Sequence, residues 1–297
     1  MPLLQRTLPY PHWEYSAPGN SDAPGSPDLL RLVPERGGLL TGWRCNGREL
    51  LYLDAERFAD PALSVRGGMP VLFPICGNLP GDQLPLPEGS FTLRQHGFAR
   101  DLPWQLRALP QEAGVELELR DSPATLAAFP FPFCLRLQLR LEPAALAITA
   151  VLENSGRRPL PFSFGLHPYF NVSALPAPDS GNAAVHLEGL PERCFNHQLM
   201  AEADTAATLA PLAAGVDLLA RPEGPVRLVD PDAGLALELQ PFAPFDLAVV
   251  WTDPPRPMVC LEPWTGPRGA LVSGDRRLEV AAGASCTLQS RYVLRPL

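Results

Sequence analysis

Proline fills 37 of the 297 positions and recurs along the whole chain. Each one lacks an amide hydrogen and clashes with the preceding helical turn, so a chain punctuated this way cannot build long helices. Short strands tolerate it, because their ends, edges and turns have places for a residue without an N–H. Glycine adds 24 positions, bringing the two to roughly a fifth of the chain, yet 46% of residues are hydrophobic. That is enough apolar surface for a packed globular core rather than disorder.

The remaining sequence reads as strands. Leu135-Arg136-Leu137-Gln138-Leu139-Arg140-Leu141-Glu142 alternates without a break, and Val115 to Arg120 does the same. This period of two marks strands buried on one face. Leu146, Ile148, Ala150 and Leu152 continue the alternation to the turn signal Asn154-Ser155-Gly156, which predicts antiparallel neighbours joined at Pro143. Further strands are expected at Leu235 to Gln240, Leu247 to Trp251 and Cys286 to Leu294. The one helical stretch, Ala203 to Leu219, is interrupted by Pro211 and Gly215 and allows a turn or two. With no repeat or linker, the expected architecture is all-β: a large antiparallel sandwich in one domain spanning residues 1–297.

Composition narrows the function classes. The net charge is −8, every strongly basic residue is arginine, and no basic stripe forms, which argues against a nucleic-acid partner. The six cysteines (Cys45, Cys76, Cys134, Cys194, Cys260, Cys286) are widely spaced, with no C-x-x-C and no histidine at zinc spacing. Neither a metal nor a disulfide framework is expected. Met1 to Arg6 holds no leader-like apolar run, and no 18-residue apolar stretch follows; no membrane partner and a cytoplasmic location are expected.

Two segments each deliver one proton-transfer residue. In Phe162 to Phe170, strand parity puts Phe162, Phe164 and Leu166 on one face and Ser163, Gly165 and His167 on the other, as a groove floor. In Met258 to Trp264, Val259 and Leu261 share one face, Cys260 and Glu262 the other. Proline follows both His167 and Glu262, holding each extended and limiting ladder pairing. Parity alone does not say that the two share a groove.

Four stretches in order carry a family resemblance: R-G-G-x-P-x-x-F-P from Arg66, H-G-F-A-R-x-x-x-W from His96, G-x-H-P-Y-F from Gly165 and E-P-W-T-G-P from Glu262. Together they resemble the aldose 1-epimerase (galactose mutarotase) superfamily, nearest its branch of hexose-6-phosphate 1-epimerases. The resemblance implies a β-supersandwich with an open groove and no cofactor. It makes His167 the catalytic acid and Glu262 the catalytic base, with Arg66, His96 and Asp217 holding the sugar. Arg100 joins them as a candidate phosphate ligand, with Arg94 and Arg44 as further possibilities. Tyr169 and Trp264 are candidate platforms for a sugar C–H face, chosen from a set of aromatics that also includes Phe73, Trp104 and Trp251.

The implied chemistry needs these residue types. Interconverting anomers requires a proton to leave the C1 hydroxyl and another to reach the ring oxygen, so that the ring opens, turns about C1–C2 and closes. Glu262 as carboxylate and His167 as imidazolium would serve, given that an ordinary histidine titrates near ~6.5. The expected substrate is a free hexose, with a hexose 6-phosphate as the alternative, because the C-terminal motif departs from that of galactose mutarotases. Oligomeric state, monomer or dimer, stays open. Two other classes remain: a sugar-binding protein on the same scaffold, which would need neither acid nor base, and a glycoside hydrolase pairing Glu262 with Asp217 or Asp246.

Overall fold

The alternating run from 133 to 154 folds as an antiparallel hairpin. Phe133–Glu142 and Ala145–Asn154 pair along their full length, from Phe133 opposite Asn154 to Glu142 opposite Ala145. Pro143 and Ala144 make the turn, Ala144 at a φ of +52°. In the computed structural model, which describes residues 3–16, 28–109, 114–176 and 184–297, this hairpin is the middle of an eight-stranded sheet. Its spatial order is His186–Glu188, Val226–Asp230, Leu235–Pro241, Ser285–Pro296, the hairpin, Gly114–Arg120 and Gln105–Ala108. The outward positions form cross-strand charge pairs: Arg136 reaches Glu153 at 2.8 and 2.9 Å and Glu118 at 3.1 Å.

A second sheet, also of eight strands, packs against the first. Its main order is Ala201–Asp204, Arg193–Asn196, Asp217–Ala220, Leu247–Trp251, Met258–Trp264, Gly165–Leu166 and Val71–Leu72, and Tyr169–Asn171 also pairs with Met258–Trp264. The core between the sheets takes Leu135, Leu137, Leu139, Ile148 and Leu288 from one side and Phe162, Phe164, Leu166, Val250, Val259 and Leu261 from the other, in one continuous cluster. Tyr292, fully buried on the first sheet, crosses this core and donates its hydroxyl hydrogen to the carbonyl of Leu261 at 2.6 Å. A five-stranded sheet formed by residues between Leu4 and Glu49 adds to the same cluster through Leu30, Leu32, Leu40 and Trp43.

The weakly helical stretch resolves as its interruptions dictate. Thr205–Leu209 is α-helical, capped by the Asp204 carboxylate on the Ala207 N–H at 2.8 Å, and Leu212–Ala214 makes a single 3-10 turn. Beyond Pro211 and Gly215 the chain rejoins the sheet at Asp217–Ala220. Among the described residues no helix is long and apolar enough to cross a membrane.

Candidate active site

The strand register brings the two candidate proton-transfer residues together. Gly165 lies opposite Trp264, and Tyr169 lies opposite Cys260. Counting inward from both pairs puts His167 directly opposite Glu262, and residues facing each other across an antiparallel ladder point to the same side. His167 Nε2 stands 3.3 Å from Glu262 Oε1. The prolines that follow each residue lack the N–H that would close the ladder here, so the sheet opens where the two side chains meet. On the other flank, the His167 N–H donates to the Pro70 carbonyl at 3.0 Å, tying the R-G-G-x-P segment to the same row.

Parity holds in detail. Phe162, Phe164 and Leu166 are fully buried in the main core. Of the three residues on the opposite side, His167 alone lines the groove. Ser163 instead accepts the Cys76 N–H at 2.9 Å. Gly165 lies beneath Trp264: a β-carbon there would sit 2.8 Å from the indole Cδ1 and 2.9 Å from Cys76 Sγ.

The groove encloses about 350 Å³. Its floor is the exposed row of the second sheet: Asp217, Val249, Trp251, Glu262, Trp264, His167 and Tyr169. Loops supply the walls, namely Arg36, Arg66, Arg100, Arg268 and His96. Every block of sequence singled out for chemistry therefore contributes to one cavity, and Arg66, His96, Arg100, Asp217, Tyr169 and Trp264 all line it. Arg44, Arg94 and Asp246 do not. Asp246 is engaged by Arg276 and lies 3.7 Å from Arg221, so the carboxylate pairing that a glycoside hydrolase would draw from it is not available in this cavity.

His96 and Asp217 each have defined partners. His96 sits at a φ of +67°. Its ring Nδ1 accepts the Gly77 N–H at 3.1 Å, and its backbone N–H donates to the Gly77 carbonyl at 2.6 Å. An Nδ1 that accepts carries no hydrogen, which places the ring proton of neutral His96 on Nε2 and makes that nitrogen a hydrogen-bond donor. Burial, with the charges of His167 and Arg100 nearby, pushes its pKa well below the ordinary histidine value. The next residue, Gly97, has a φ of +70°, and a β-carbon there would be 2.2 Å from the Phe73 carbonyl oxygen, so this turn requires glycine.

Asp217 is held at both oxygens: Arg268 donates to Oδ2 at 2.7 Å and His197 Nδ1 to Oδ1 at 2.6 Å. Neither Arg268 nor His197 belongs to the motifs that marked the site. Arg268 lies just past E-P-W-T-G-P, so its proximity to that motif was the available signal; His197 carried none. Trp251 was the other omission. It lines the groove, meets His167 and Tyr169 edge-on at 5.5 and 5.8 Å, and has the Arg66 guanidinium 5.9 Å from its ring centre.

The two residues proposed as sugar platforms already have other contacts. The Tyr169 ring stacks on His167 at 4.9 Å and 18°, propping the imidazole. Trp264 is 1% exposed and donates its indole N–H to Glu262 Oε2 at 3.0 Å, orienting the carboxyl group. Phe73 and Trp104 belong to the core, Phe73 within an aromatic cluster with Phe98, Phe129, Phe133 and Phe162.

Protonation departs from the expectation of a charged His167. Burial lowers the His167 pKa to about 3, and the positive charges of Arg100 and Arg66 act in the same direction. Its Nδ1 is buried with no hydrogen-bond partner among the described residues, so no carboxylate behind the ring stabilises an imidazolium. Burial also raises Glu262 well above the usual carboxylate range, against the opposing Trp264 hydrogen bond and the nearby Arg268 and Arg100. The contact has ion-pair geometry, but removal from water favours the uncharged arrangement: neutral His167 beside protonated Glu262.

Comparison with known proteins identifies the family. The family model described as Aldose 1-epimerase matches residues 29–272. A solved protein from Synechocystis sp. PCC 6803 is 37% identical, with a TM-score of 0.83 over 91% of this chain and 92% of that one. A galactose mutarotase related enzyme from Lactobacillus acidophilus, 18% identical, shares the fold at a TM-score of 0.71 over 95% of this chain and 97% of that one. A curated protein of Cenchrus ciliaris, named "Putative glucose-6-phosphate 1-epimerase", is 32% identical over 166 residues. That match covers 52% of this chain, which spans only 45% of the curated relative's length. The family match takes in all four motifs and the row on which His167 faces Glu262, and this chain belongs to the aldose 1-epimerase family.

Proposed function

We propose that this chain is an aldose 1-epimerase acting on a hexose 6-phosphate, with His167 and Glu262 exchanging protons with the C1 hydroxyl and the ring oxygen. The observation that carries the proposal is the 3.3 Å approach of His167 Nε2 to Glu262 Oε1 at the floor of an arginine-walled groove. A protein that only binds sugar has no use for such a pair.

In ring opening, the Glu262 carboxylate takes the C1 hydroxyl proton and the His167 imidazolium protonates the ring oxygen as the C1–O5 bond breaks. The pair is then neutral His167 and protonated Glu262, with the sugar held as the open aldehyde. Burial favours that same uncharged arrangement. The open-chain complex thus holds the pair in its resting protonation state, and the cost of forming the charged pair falls on the step before ring opening. After rotation about C1–C2, the reverse transfers close the ring on its other face. In the free protein, one proton passing across the 3.3 Å contact restores the charged form. His96, a fixed donor, and Asp217, an acceptor, suit sugar hydroxyls.

Arg100 favours the phosphorylated substrate. It is half-buried, and burial depresses its pKa. It makes no ion pair among the described residues, and its one described hydrogen bond is to the Gln95 carbonyl at 3.0 Å. A half-buried guanidinium on the groove wall, with the Asp101 carboxylate nearby but no direct ion pair among the described residues, is open to an anion, and its planar fork suits phosphate oxygens. The Cenchrus ciliaris relative's name points the same way. Anomer exchange followed by NMR magnetisation transfer tests the proposal, with glucose, galactose and their 6-phosphates as substrates. Acceleration should be largest for a 6-phosphate, and Arg100→Gln should raise KM for that sugar ~10–100-fold, the worth of a charged hydrogen bond, while sparing the free sugar. Equal acceleration of free and phosphorylated sugars, untouched by Arg100→Gln, would establish a free-hexose epimerase. Binding without acceleration would establish a sugar-binding protein.

A further inference from the structure

We propose that His167, Cys260 and Glu262 form a site for one thiophilic divalent cation of the Zn²⁺ or Cd²⁺ class, and that the cation competes with sugar for the groove floor. The competition rests on the function proposed above; the metal site does not.

The site follows from the sheet. Cys260 and Glu262 are two residues apart on one strand and therefore share a face, and His167 is opposite Glu262 on the neighbouring strand. One nitrogen, one sulfur and one oxygen donor lie within 4.8 Å of one another, and among the described residues no other group of three or more such side chains does so. A tetrahedral Zn²⁺ site has bonds of ~2.0–2.3 Å, which spaces its donors by ~3.5 Å. The nitrogen–oxygen distance of 3.3 Å already meets that spacing. The Cys260 sulfur lies within 4.8 Å of both, so the site closes as the three donors draw in on the cation.

The donor chemistry selects the metal. A thiolate with an imidazole and a carboxylate suits Zn²⁺ or Cd²⁺, and does not suit Mg²⁺ or Ca²⁺, which prefer oxygen alone. Cys260 gives up little to bind: its only described polar contact is a weak one to the Met258 sulfur at 3.9 Å. As the cation binds, the Cys260 thiol proton and the Glu262 carboxyl proton both leave to solvent, and the cation balances the negative charges that burial otherwise resists. Three protein ligands leave the fourth position facing the groove, where the sugar C1 hydroxyl would otherwise sit. Ligands at short spacing are what a sequence search for zinc detects; here they come from separate strands.

Cd²⁺ titration of the reduced protein, followed by the ultraviolet thiolate-to-cadmium charge-transfer band, tests the site without reference to activity. One equivalent per chain should saturate the band. Cys260→Ser should abolish it, with Cys260→Ala as the second variant should the serine not fold. Glu262→Gln should weaken binding at least ~tenfold, while Cys76→Ala and Cys286→Ala should keep the band. The sugar that the exchange panel identifies as substrate should raise the apparent Cd²⁺ dissociation constant, and Zn²⁺ should slow its exchange. Cys260→Ser, measured against its own metal-free rate, should need at least ~tenfold more Zn²⁺ for the same effect. No band at one equivalent, or a band that survives loss of Cys260, overturns the site. A band that depends on Cys260 and Glu262, with no sugar accelerated, keeps the site and sinks the epimerase function.

Discussion

Protonation at a single contact decides how this site works. His167 and Glu262 face each other at 3.3 Å with burial opposing charge on both, so they titrate as one unit holding one transferable proton. The sign follows from proton counting. Below the His167 value of about 3 the unit gains a second proton and has no base left. Above the raised Glu262 value it loses its only proton and has no acid. The kcat/KM profile for anomer exchange should therefore run level through the region near ~6.5, where an ordinary histidine titrates. Its alkaline limb should disappear in Glu262→Gln along with most activity, a loss of ~10²–10⁴-fold. An inflection near pH ~6.5 with activity falling on the alkaline side would mean a conventional imidazolium acid.

At the scale of strands, Gly165 is the sensitive position. Its missing β-carbon leaves room for the Trp264 indole, and that indole holds the Glu262 carboxyl group. Gly165→Ala should cost ~1–3 kcal/mol of stability by overpacking, read from the urea midpoint. It should also slow exchange at least ~tenfold with little change in KM, because the displaced ring releases the carboxyl group rather than the substrate. Unchanged exchange at reduced stability would mean that Trp264 packs without positioning. Strands are also where the limit of sequence inference lies. Period-two alternation made the Phe133–Glu142 and Ala145–Asn154 hairpin legible, and parity separated Phe164 and Leu166 from His167. Register was not legible: that residue 167 faces residue 262 depends on long-range pairing that no local pattern encodes. Family motifs supplied the partnership instead. His197 and Arg268 lay outside those motifs and emerged only once the fold brought them to Asp217. The protonation of His167 was invisible for a related reason, since it depends on burial by residues distant in sequence.

For the whole molecule, the two large sheets are joined by apolar packing and by a buried polar link, the Tyr292 hydroxyl on the Leu261 carbonyl. That carbonyl belongs to the residue just before Glu262, so the link ties the groove floor to the opposite sheet. Tyr292→Phe should lower stability by ~1–3 kcal/mol, the cost of leaving a buried acceptor unpaired, seen as a lower denaturant midpoint with an unchanged slope. An unchanged midpoint would mean that packing alone fixes the sheets. The division of the groove into a floor of strands and walls of loops has a further consequence. Glu262 sits on a strand and His167 at the short gap between two strands of the same sheet, whereas Arg66, Arg100, Arg268 and His96 hang from connecting segments. On the proposed function, substitutions at these loop residues should change which sugar is bound while leaving His167 and Glu262 in place beneath them.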